Sequence, residues 1–481
     1  MENSEKRVHF IGIGGISMSA LARHALRRYA VSGSDIKLNA LTDGLARSGA
    51  EVYEGSDPQK TAEAWLVVYN SAIRADDPEL AAAKRNGVKT AARSEYLACV
   101  ASEAEKCIAV SGIHGKSTVT ALLSAAFKNA DAPFFAHVGA EVPDIGGNYY
   151  NQGNRFFITE ACEYKGSFLT LSPDIAVILN VEMDHPDYYA DEESVFAVFR
   201  RFAERIRSGG TLILHADEKY RRLYENLRSD ITVATFGIGC GKYSAQNLRR
   251  SDDKDYGYIF DLYIDGEFVA EVKNKLYGRH NVLNALACLA ATDSSGIDRQ
   301  PVIEGFARFR GVKRRFEPLG SVGACRLIGD YAHHPSEIRA LIASAREGFD
   351  GRIAAVFQPH TYSRTKKLFD EFCDVLKGAD KLFILKEYPA RETPDMGKSA
   401  YDLFCAINAA ATEEKAATTD AIYCRGRCPH RPETERIEPE YYAEYSATFA
   451  ELAERIHSCA KDFDCILIVG AGDIDGITAY L

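Results

Sequence analysis

Residues 108–124 read Ile-Ala-Val-Ser-Gly-Ile-His-Gly-Lys-Ser-Thr-Val-Thr-Ala-Leu-Leu-Ser. A short apolar strand runs into a glycine-bearing turn, and a helix then opens on Lys116 and Ser117. That order suits a nucleoside triphosphate. Backbone N–H groups of the turn and the positive helix end cradle phosphate oxygens, a lysine reaches the outer phosphates, and a hydroxyl holds Mg²⁺. The general pattern G-x-x-x-x-G-K-[ST] is not met, because Val110 stands at its first glycine. The spacing is the tighter Gly112-x-x-Gly115-Lys116-Ser117. The same residues would also suit a plain helix N-terminus capped by small side chains. If this is a phosphate loop, the chain consumes ATP.

A second glycine turn, Gly12-Ile-Gly14-Gly15, follows the first apolar run, with Asp35 some way on as a candidate ribose-binding acid. The full dinucleotide fingerprint G-x-G-x-x-G is absent, since residue 17 is Ser. NAD(P), another nucleotide such as a UDP-sugar, and a purely structural turn all remain open on the motif alone. Behind the phosphate loop, Glu160, Glu163, Asp184 and His185 lie at strand ends. Mg²⁺ prefers carboxylate oxygens and substrate phosphates, so Glu160 or Glu163 would complete a site with Ser117; the bland alternative is helix capping. Asn281 and Asn284 fall three apart on one helix face, where they would read an adenine edge or a phosphate, although Asn281 in isolation reads better as a helix cap.

Lys313-Arg314-Arg315 concentrates three cations at a domain junction. There one arginine could help a phosphoryl transition state, against the ordinary reading of a solvated face. Asp330-Tyr-Ala-His333-His334-Pro335 and Gln358-Pro-His360-Thr-Tyr-Ser363-Arg364 are strand-end clusters, the second with an arginine suited to a carboxylate. Gly470-Ala-Gly472-Asp473 follows the last strand as a ligand-facing turn would. Cys424, Cys428 and His430 give three zinc-type ligands without a clear fourth.

The elements that must carry these residues alternate between strand and helix. Strands are expected over residues 8–13, 66–70, 156–159, 175–180, 325–329, 352–357, 381–385 and 465–469, with another ending at Gly33-Ser34-Asp35. Helices are expected from residue 16 to about 28, after Pro78, and over 283–291, 335–345 and 365–377. Such repeats argue for parallel sheets wound with helices, whose ligands sit outside the carboxyl ends of the strands. Residues 231–275 alternate apolar and polar with a hairpin turn at Asp265-Gly266, which suggests a small antiparallel patch. Residues 411–440 show no clean period and read as loop.

At 481 residues, two or three domains are expected. Lys+Arg 58 against Asp+Glu 68 gives −10, which argues against non-specific attraction to nucleic acid or anionic lipid. No apolar run approaches the roughly 20 residues of a membrane span, and the polar stretch Met1–Arg7 does not read as a signal peptide. The scattered cysteines, many in apolar stretches, suit reduced thiols in a cytosol.

In order along the chain, the segments His9-Phe-Ile-Gly-Ile-Gly-Gly15, Gly112-Ile-His-Gly-Lys-Ser117, Glu160-Ala-Cys-Glu163, Asn180-Val-Glu-Met-Asp-His185, Gly278-Arg-His-Asn281, Val312-Lys-Arg-Arg-Phe316, Asp330-Tyr-Ala-His-His-Pro335, Gln358-Pro-His360 and Gly470-Ala-Gly-Asp473 resemble the Mur ligases. These are the ATP-dependent ligases that build the peptidoglycan stem peptide, and the resemblance spans nearly the whole chain. It implies an α/β protein of three domains. Residues 1–100 would form a Rossmann-like UDP-sugar-binding domain. Residues 101–311 would form an ATP-binding domain on a P-loop ATPase-type parallel sheet with a small antiparallel patch, and residues 312–481 a Rossmann-like amino-acid-binding domain.

The resemblance also implies roles. Gly12, Gly14, Gly15 and Ser17 would cradle the uridine diphosphate, with Ser71 nearby. Gly112, Ile113, His114, Gly115, Lys116, Ser117, Thr118, Asn281 and Asn284 would surround ATP. Ser117 and Glu160 would hold one Mg²⁺, and His185 a second. Arg315 and Asp330 would reach the reacting groups, and His334, His360 and Arg364 would bind the amino acid. The implied substrates are UDP-N-acetylmuramate and L-alanine, joined through an acyl phosphate in peptidoglycan precursor synthesis, hence in cell-wall biogenesis, cell shape and division. Asp330 or one of His333 and His334 would deprotonate the amine. The implied enzyme is cytoplasmic, a monomer or homodimer, with no nucleic-acid or membrane partner.

Departures from close members fall at Ile113 and Ser117, where threonines are usual, at Asn70, where serine is common, at Val119, and at Thr361, where some carry arginine. They bear on ATP affinity and amino-acid choice. Alternatives are the recycling ligase that joins a whole tripeptide to the same UDP-sugar, a non-catalytic UDP-sugar-binding paralogue and, more distantly, an NAD-dependent oxidoreductase.

Overall fold

The computed structural model describes residues 6–184, 188–251, 257–390, 392, 398–410 and 442–481. It holds three sheets in two compact units, Met1–Lys313 and Arg314–Leu481. The first sheet is wholly parallel and comprises β1 (Arg7–Ile11), β2 (Ala30–Asp35), β3 (Glu51–Glu54), β4 (Leu66–Tyr69) and β5 (Lys89–Ala92), in the order β3-β2-β1-β4-β5. This is a Rossmann-like half. The order reverses at β1, the kind of switch point at whose strand ends such sheets bind ligands. The strand expected over residues 8–13 stops at Ile11, because Gly12 turns at φ 80°. The helix expected to about residue 28 closes at Ala25, and Arg27 and Arg28 follow in turns.

The second sheet has ten strands: β6 (Lys106–Ser111), β7 (Phe134–Val142), β8 (Gly147–Asn151), β9 (Phe156–Glu160), β10 (Ile175–Ile178), β11 (Thr211–His215), β12 (Thr232–Ile238), β13 (Tyr243–Arg250), β14 (Tyr258–Ile264) and β15 (Glu267–Asn274). Their order is β15-β14-β13-β12-β11-β10-β6-β9-β7-β8. β6, β9 and β10 are near-continuous buried apolar runs, as a sheet covered on both faces requires. The helices Lys116–Asn129 and Arg279–Ser295 cover one face. On the other, Ile178 and Phe157 share a core with Phe10 and Val31 of the first sheet.

The antiparallel patch is smaller than expected. β12 pairs in parallel with both β11 and β13, and only β13-β14-β15 run antiparallel. Alternation reports one wet face, not direction. Gly239 and Gly241, at φ 73° and 84°, coil the chain back so that β13 starts alongside the end of β12. The β7–β8 antiparallel edge was not foreseen.

In the second unit β16 (Glu317–Val322), β17 (Cys325–Asp330), β18 (Ile353–Phe357), β19 (Lys381–Leu385), β20 (Ala443–Ser446) and β21 (Cys465–Val469) are ordered β16-β17-β21-β18-β19-β20. All pair in parallel except the edge strand β16. The helix expected over residues 365–377 is two, Tyr362–Lys367 and Phe369–Leu376, broken where Leu368 leaves helical geometry at φ −106°, ψ 22°. The loop expected over 411–440 lies outside the described residues, as do Cys424, Cys428 and His430. Among the described residues no helix is long and apolar enough to cross a membrane.

Candidate active site

β6 delivers the phosphate loop to the carboxyl edge of the second sheet, between β10 and β9. Gly112 and Gly115 hold φ 142° and 84°, and both are close approaches as well as turns. A Cβ on Gly112 would lie 3.0 Å from Leu179, and one on Gly115 would lie 2.9 Å from Asn284 Oδ1. Asn180, just past β10, fastens the loop from below. Its carbonyl accepts from Ile113 N at 3.3 Å. Its amide accepts from His114 N at 2.8 Å and donates to His114 O at 3.0 Å. Ile113 is 6% exposed and packs into the core shared with the first sheet. The branch that replaces a hydroxyl therefore points away from the loop's open side, and the residue's N–H and carbonyl are engaged by Asn180 and Lys116.

Lys116 opens the following helix and folds over the loop. Its Nζ donates to Gly112 O at 2.6 Å, to Ile113 O at 3.0 Å and to Glu163 Oε1 at 3.1 Å, with Oε2 at 2.9 Å. Burial works against the ammonium charge, but Glu163 and, more weakly, Cys162 and Glu160 outweigh it and raise the Lys116 pKa. The lysine is thus a cation held in place by a buried acid. Of the two acids that sequence offered for Mg²⁺, Glu163 is the lysine's partner. Glu160 ends β9 and accepts from Gly139 N at 2.5 Å. Ser117 and Thr118 occupy the first helical turn.

A hydroxyl in the first turn of the helix after β6 and a carboxylate at the end of neighbouring β9 are hard oxygen donors of the kind Mg²⁺ takes when a nucleotide supplies the rest. Among the described residues no three His, Cys, Asp or Glu side chains converge as a metal cage. His185, expected to hold a second ion, lies outside the described residues. The capping reading of Asn281 is overturned, because Gly278 is the N-cap. Asn281 instead donates to Tyr277 O at 2.6 Å and accepts from Asn284 Nδ2 at 2.9 Å, which orients Asn284 toward Gly115.

At the first sheet's switch point, Gly12 N and Ile13 N both donate to Ser34 O, at 2.8 and 3.0 Å. Gly14 N donates to Asp35 Oδ2 at 2.8 Å, and Asn39 Nδ2 donates to Gly14 O at 3.2 Å. Asp35, the acid a ribose would have needed, is occupied in closing the turn. A Cβ on Gly14 would meet Asp35 Oδ2 at 2.9 Å. Asn70, at the end of β4, lies against Gly12, where an added Cβ would come 2.9 Å from its amide. Ser71 follows it, exposed. Ser17 Oγ meets His137 Nε2 at 2.8 Å and accepts from Arg93 Nη1 at 3.1 Å.

Beneath the turn, buried Glu79 accepts from Tyr53 OH at 2.8 Å, from Asp57 N at 3.0 Å and from Ser34 Oγ. Burial alone would raise its pKa, but these donors and His9 bring it down to about 2. Sequence reading missed Glu79, Arg93 and His137. Glu79 reads as an ordinary first-turn acid after Pro78, and nothing local marks any of the three.

The second unit gathers its own cluster at the ends of β17, β18 and β21. Asp330 accepts from Phe316 N at 2.7 Å and Ala332 N at 2.8 Å. Burial raises its pKa against the pull of Arg315 and those two N–H groups. Each of the cations before it faces an acid while staying partly exposed. Lys313 pairs with Glu141 at 2.7 Å, Arg314 with Asp475 at 2.9 Å and Arg315 with Glu337 at 3.9 Å.

His334 caps the helix Pro335–Gly348, accepting from Ser336 N at 3.4 Å. His333 lies 6.0 Å, edge-on, from His360, which stacks on Tyr388 at 5.8 Å. Arg364 Nη1 is 3.3 Å from His360 Nδ1. Burial first, then His333 and Arg364, lower the His360 pKa to about 4, and burial also lowers that of His333, so both rings are neutral at pH 7. Gln358 donates to Asp473 at 2.9 Å.

Three strand-end clusters of this kind, one on a phosphate loop, define a nucleotide-using α/β enzyme, and comparison with known proteins narrows the class. The Mur ligase family, catalytic domain, matches residues 7–105, the Mur ligase middle domain 110–292, and the Mur ligase, glutamate ligase domain, 314–472. The chain belongs to the Mur ligase family, whose members are ATP-dependent ligases that form carbon–nitrogen bonds. It is 41% identical to a UDP-N-acetylmuramate–L-alanine ligase of Lachnospira eligens over 83% of this chain and 88% of that one. With the same-named enzyme of Clostridium tetani it shares 37% identity over 98% and 96%. The crystal structure of UDP-N-acetylmuramate–alanine ligase from Thermotoga maritima covers 98% of this chain and 97% of its own at TM-score 0.77 and 27% identity.

Proposed function

We propose that this chain joins L-alanine to the lactyl carboxylate of UDP-N-acetylmuramate, with ATP as the energy source, in peptidoglycan precursor synthesis. The observation that carries the reading is the Lys116–Glu163 pair on a loop braced by Asn180 and Asn284, with Glu160 beside it. The likeness to relatives named as L-alanine ligases, over 83% and 98% of this chain, supports the choice of substrates over a tripeptide.

We divide the work as residues 1–100 for the UDP-sugar, 101–311 for ATP and 312–481 for the amino acid. Gly12, Gly14, Gly15, Ser17 and Ser71 receive the UDP-sugar. The N–H groups of Gly115 and the first helical turn and the Lys116 ammonium hold the triphosphate, Ile113 and His114 lie beside it with their N–H groups given to Asn180, and Asn281 and Asn284 stand at its side. A carboxylate is a poor electrophile, so it first attacks the γ-phosphorus. ADP leaves, and an acyl phosphate forms. Lys116 and Arg315 offset the repulsion between the two anions. Mg²⁺, held by Ser117 and Glu160 and with His185 assigned to a second ion, would supply charge neutralisation at the phosphates.

We assign Arg364 to the carboxylate of alanine, together with His360 beside it and His334. The free amine attacks the acyl carbon and phosphate departs. Asp330, whose pKa burial raises, or neutral His333 accepts the amine's proton. The test is phosphate release from ATP with UDP-N-acetylmuramate and each of a panel of amino acids and peptides. Release should need both the UDP-sugar and L-alanine. Release with the tripeptide alone, or with neither acceptor, would remove the proposal.

A further inference from the structure

We propose that Arg93 recognises the lactyl carboxylate of the UDP-sugar and so separates UDP-N-acetylmuramate from UDP-sugars that lack it; this rests on the ligase reading above. Arg93 opens the helix Arg93–Ala101 directly after β5, half-buried. Its Nη1 donates to Ser17 Oγ at 3.1 Å, and Ser17 stands in the first turn of the helix that follows the glycine turn. From Ser17 the contacts run across to the second sheet. Ser17 Oγ meets His137 Nε2 at 2.8 Å, and His137 Nδ1 meets Thr159 Oγ1 at 3.1 Å. Thr159 precedes Glu160 on β9, and Gly139, two residues beyond His137, donates to Glu160. This chain of side chains therefore spans the ground between the UDP-sugar turn and the phosphate-loop acids.

Arg93 carries the positive charge of that chain. His137 is neutral, its pKa brought down to about 3 by burial and then by the Arg93 cation. The same cation is felt at Cys162, between Glu160 and Glu163, where it partly offsets the rise that burial gives the thiol. Among the described residues Arg93 has a neutral hydroxyl for its partner and no carboxylate, unlike Arg28, which pairs with Glu103 at 3.0 Å. A half-buried guanidinium without a counter-charge is disfavoured until an anion arrives.

The N–H groups of Gly12, Gly14 and Gly15 are taken within the turn, and the diphosphate of the substrate is left the uncapped N-terminal end of the helix that opens at Ile16. The lactyl carboxylate is the anion that has to lie toward Glu160 and Lys116 to be phosphorylated. It also matches the planar fork of a guanidinium.

The test is calorimetric titration of the parent, R93Q and R93K with UDP-N-acetylmuramate, UDP-N-acetylglucosamine and UDP, with ATP affinity and thermal midpoint as checks on folding. Arg93→Gln should weaken UDP-N-acetylmuramate by about 10- to 100-fold while UDP-N-acetylglucosamine and UDP stay within about 2-fold, and Arg93→Lys should recover part of the loss. Equal weakening of all three would move Arg93 to the diphosphate and overturn the assignment, as would no change in any. If R93Q fails its folding checks, R93K decides: it must still bind UDP-N-acetylmuramate less tightly than the parent, with UDP unaffected. A parent that binds no UDP-N-acetylmuramate would instead sink the ligase reading itself.

Discussion

Lys116 in the first unit has its counter-charge built in, whereas Arg364 in the second has none among the described residues. The lysine lies on a buried glutamate and two loop carbonyls, and its ammonium is made more persistent by that pairing. Arg364 stands beside a stacked pair of uncharged rings, His360 and Tyr388. The difference follows from what each is proposed to receive. A triphosphate brings several negative charges, so its loop can hold a cation in check and still attract it. An amino acid brings one carboxylate and one ammonium, so its site needs a single unpaired guanidinium and neighbours that do not repel the amine. Neutral imidazoles meet that need, and a buried acid next to Arg364 would not.

The sharpest way to break this comparison is at its charged end. Lys116→Met should lower phosphate release by about 10²- to 10³-fold, as loss of a preorganised cation at a reacting phosphoryl group does elsewhere. Steady-state rates of the variant beside the parent check it, and equal rates would show that the pair is structural. Next comes Arg364→Gln, expected to raise KM for L-alanine about 10- to 100-fold while KM for ATP is unmoved. A common rise in both would deny the division of labour between the units.

A smaller effect concerns pH. With a folded pKa near 4 against about 6.5 unfolded, His360 binds fewer protons folded than unfolded across that window. Its share of stability is therefore intact above about pH 6.5 and falls as pH drops toward 4. The acid limb of kcat/KM for alanine should have its midpoint near 4. A midpoint near 6.5 would mean that the imidazole is charged at work, and the contrast with Lys116 would lose its chemical basis.

How much of this was legible from sequence depended on whether the information was local. β6, β19 and β21 were placed within a residue or two, because buried parallel strands are continuous apolar runs with abrupt polar ends. Gly112 and Gly115 announced a loop, since few other residues take their φ. The Lys116–Glu163 pair could be narrowed only to one of two acids, because strand-end register decides which carboxylate faces the lysine. Glu79, His137 and Arg93 were invisible. Their partners lie 22 to 120 residues away in sequence, and only the finished fold brings them together. The direction of β12 failed for a related reason: alternation fixes which face is wet, while two glycines at positive φ fix where the chain turns.

The smallest expected effect tests the reading of the loop's departure from its relatives. If Ile113 faced the nucleotide, Ile113→Thr, which restores the common hydroxyl, would change KM for ATP. The side chain is instead buried among the apolar residues shared by the first two sheets, and the loop uses only its backbone. Replacing one buried methyl-bearing branch by a hydroxyl there should cost about 1–2 kcal/mol of stability, through lost packing and a hydroxyl with poor access to water. KM for ATP should stay within about 2-fold, because no group facing the phosphates changes. A lowered thermal midpoint with unchanged nucleotide kinetics is the expected pair of results. An altered KM for ATP at unchanged stability would put residue 113 in the nucleotide site and make the loop, like the cluster around His360, a place where side chains rather than backbone set selectivity.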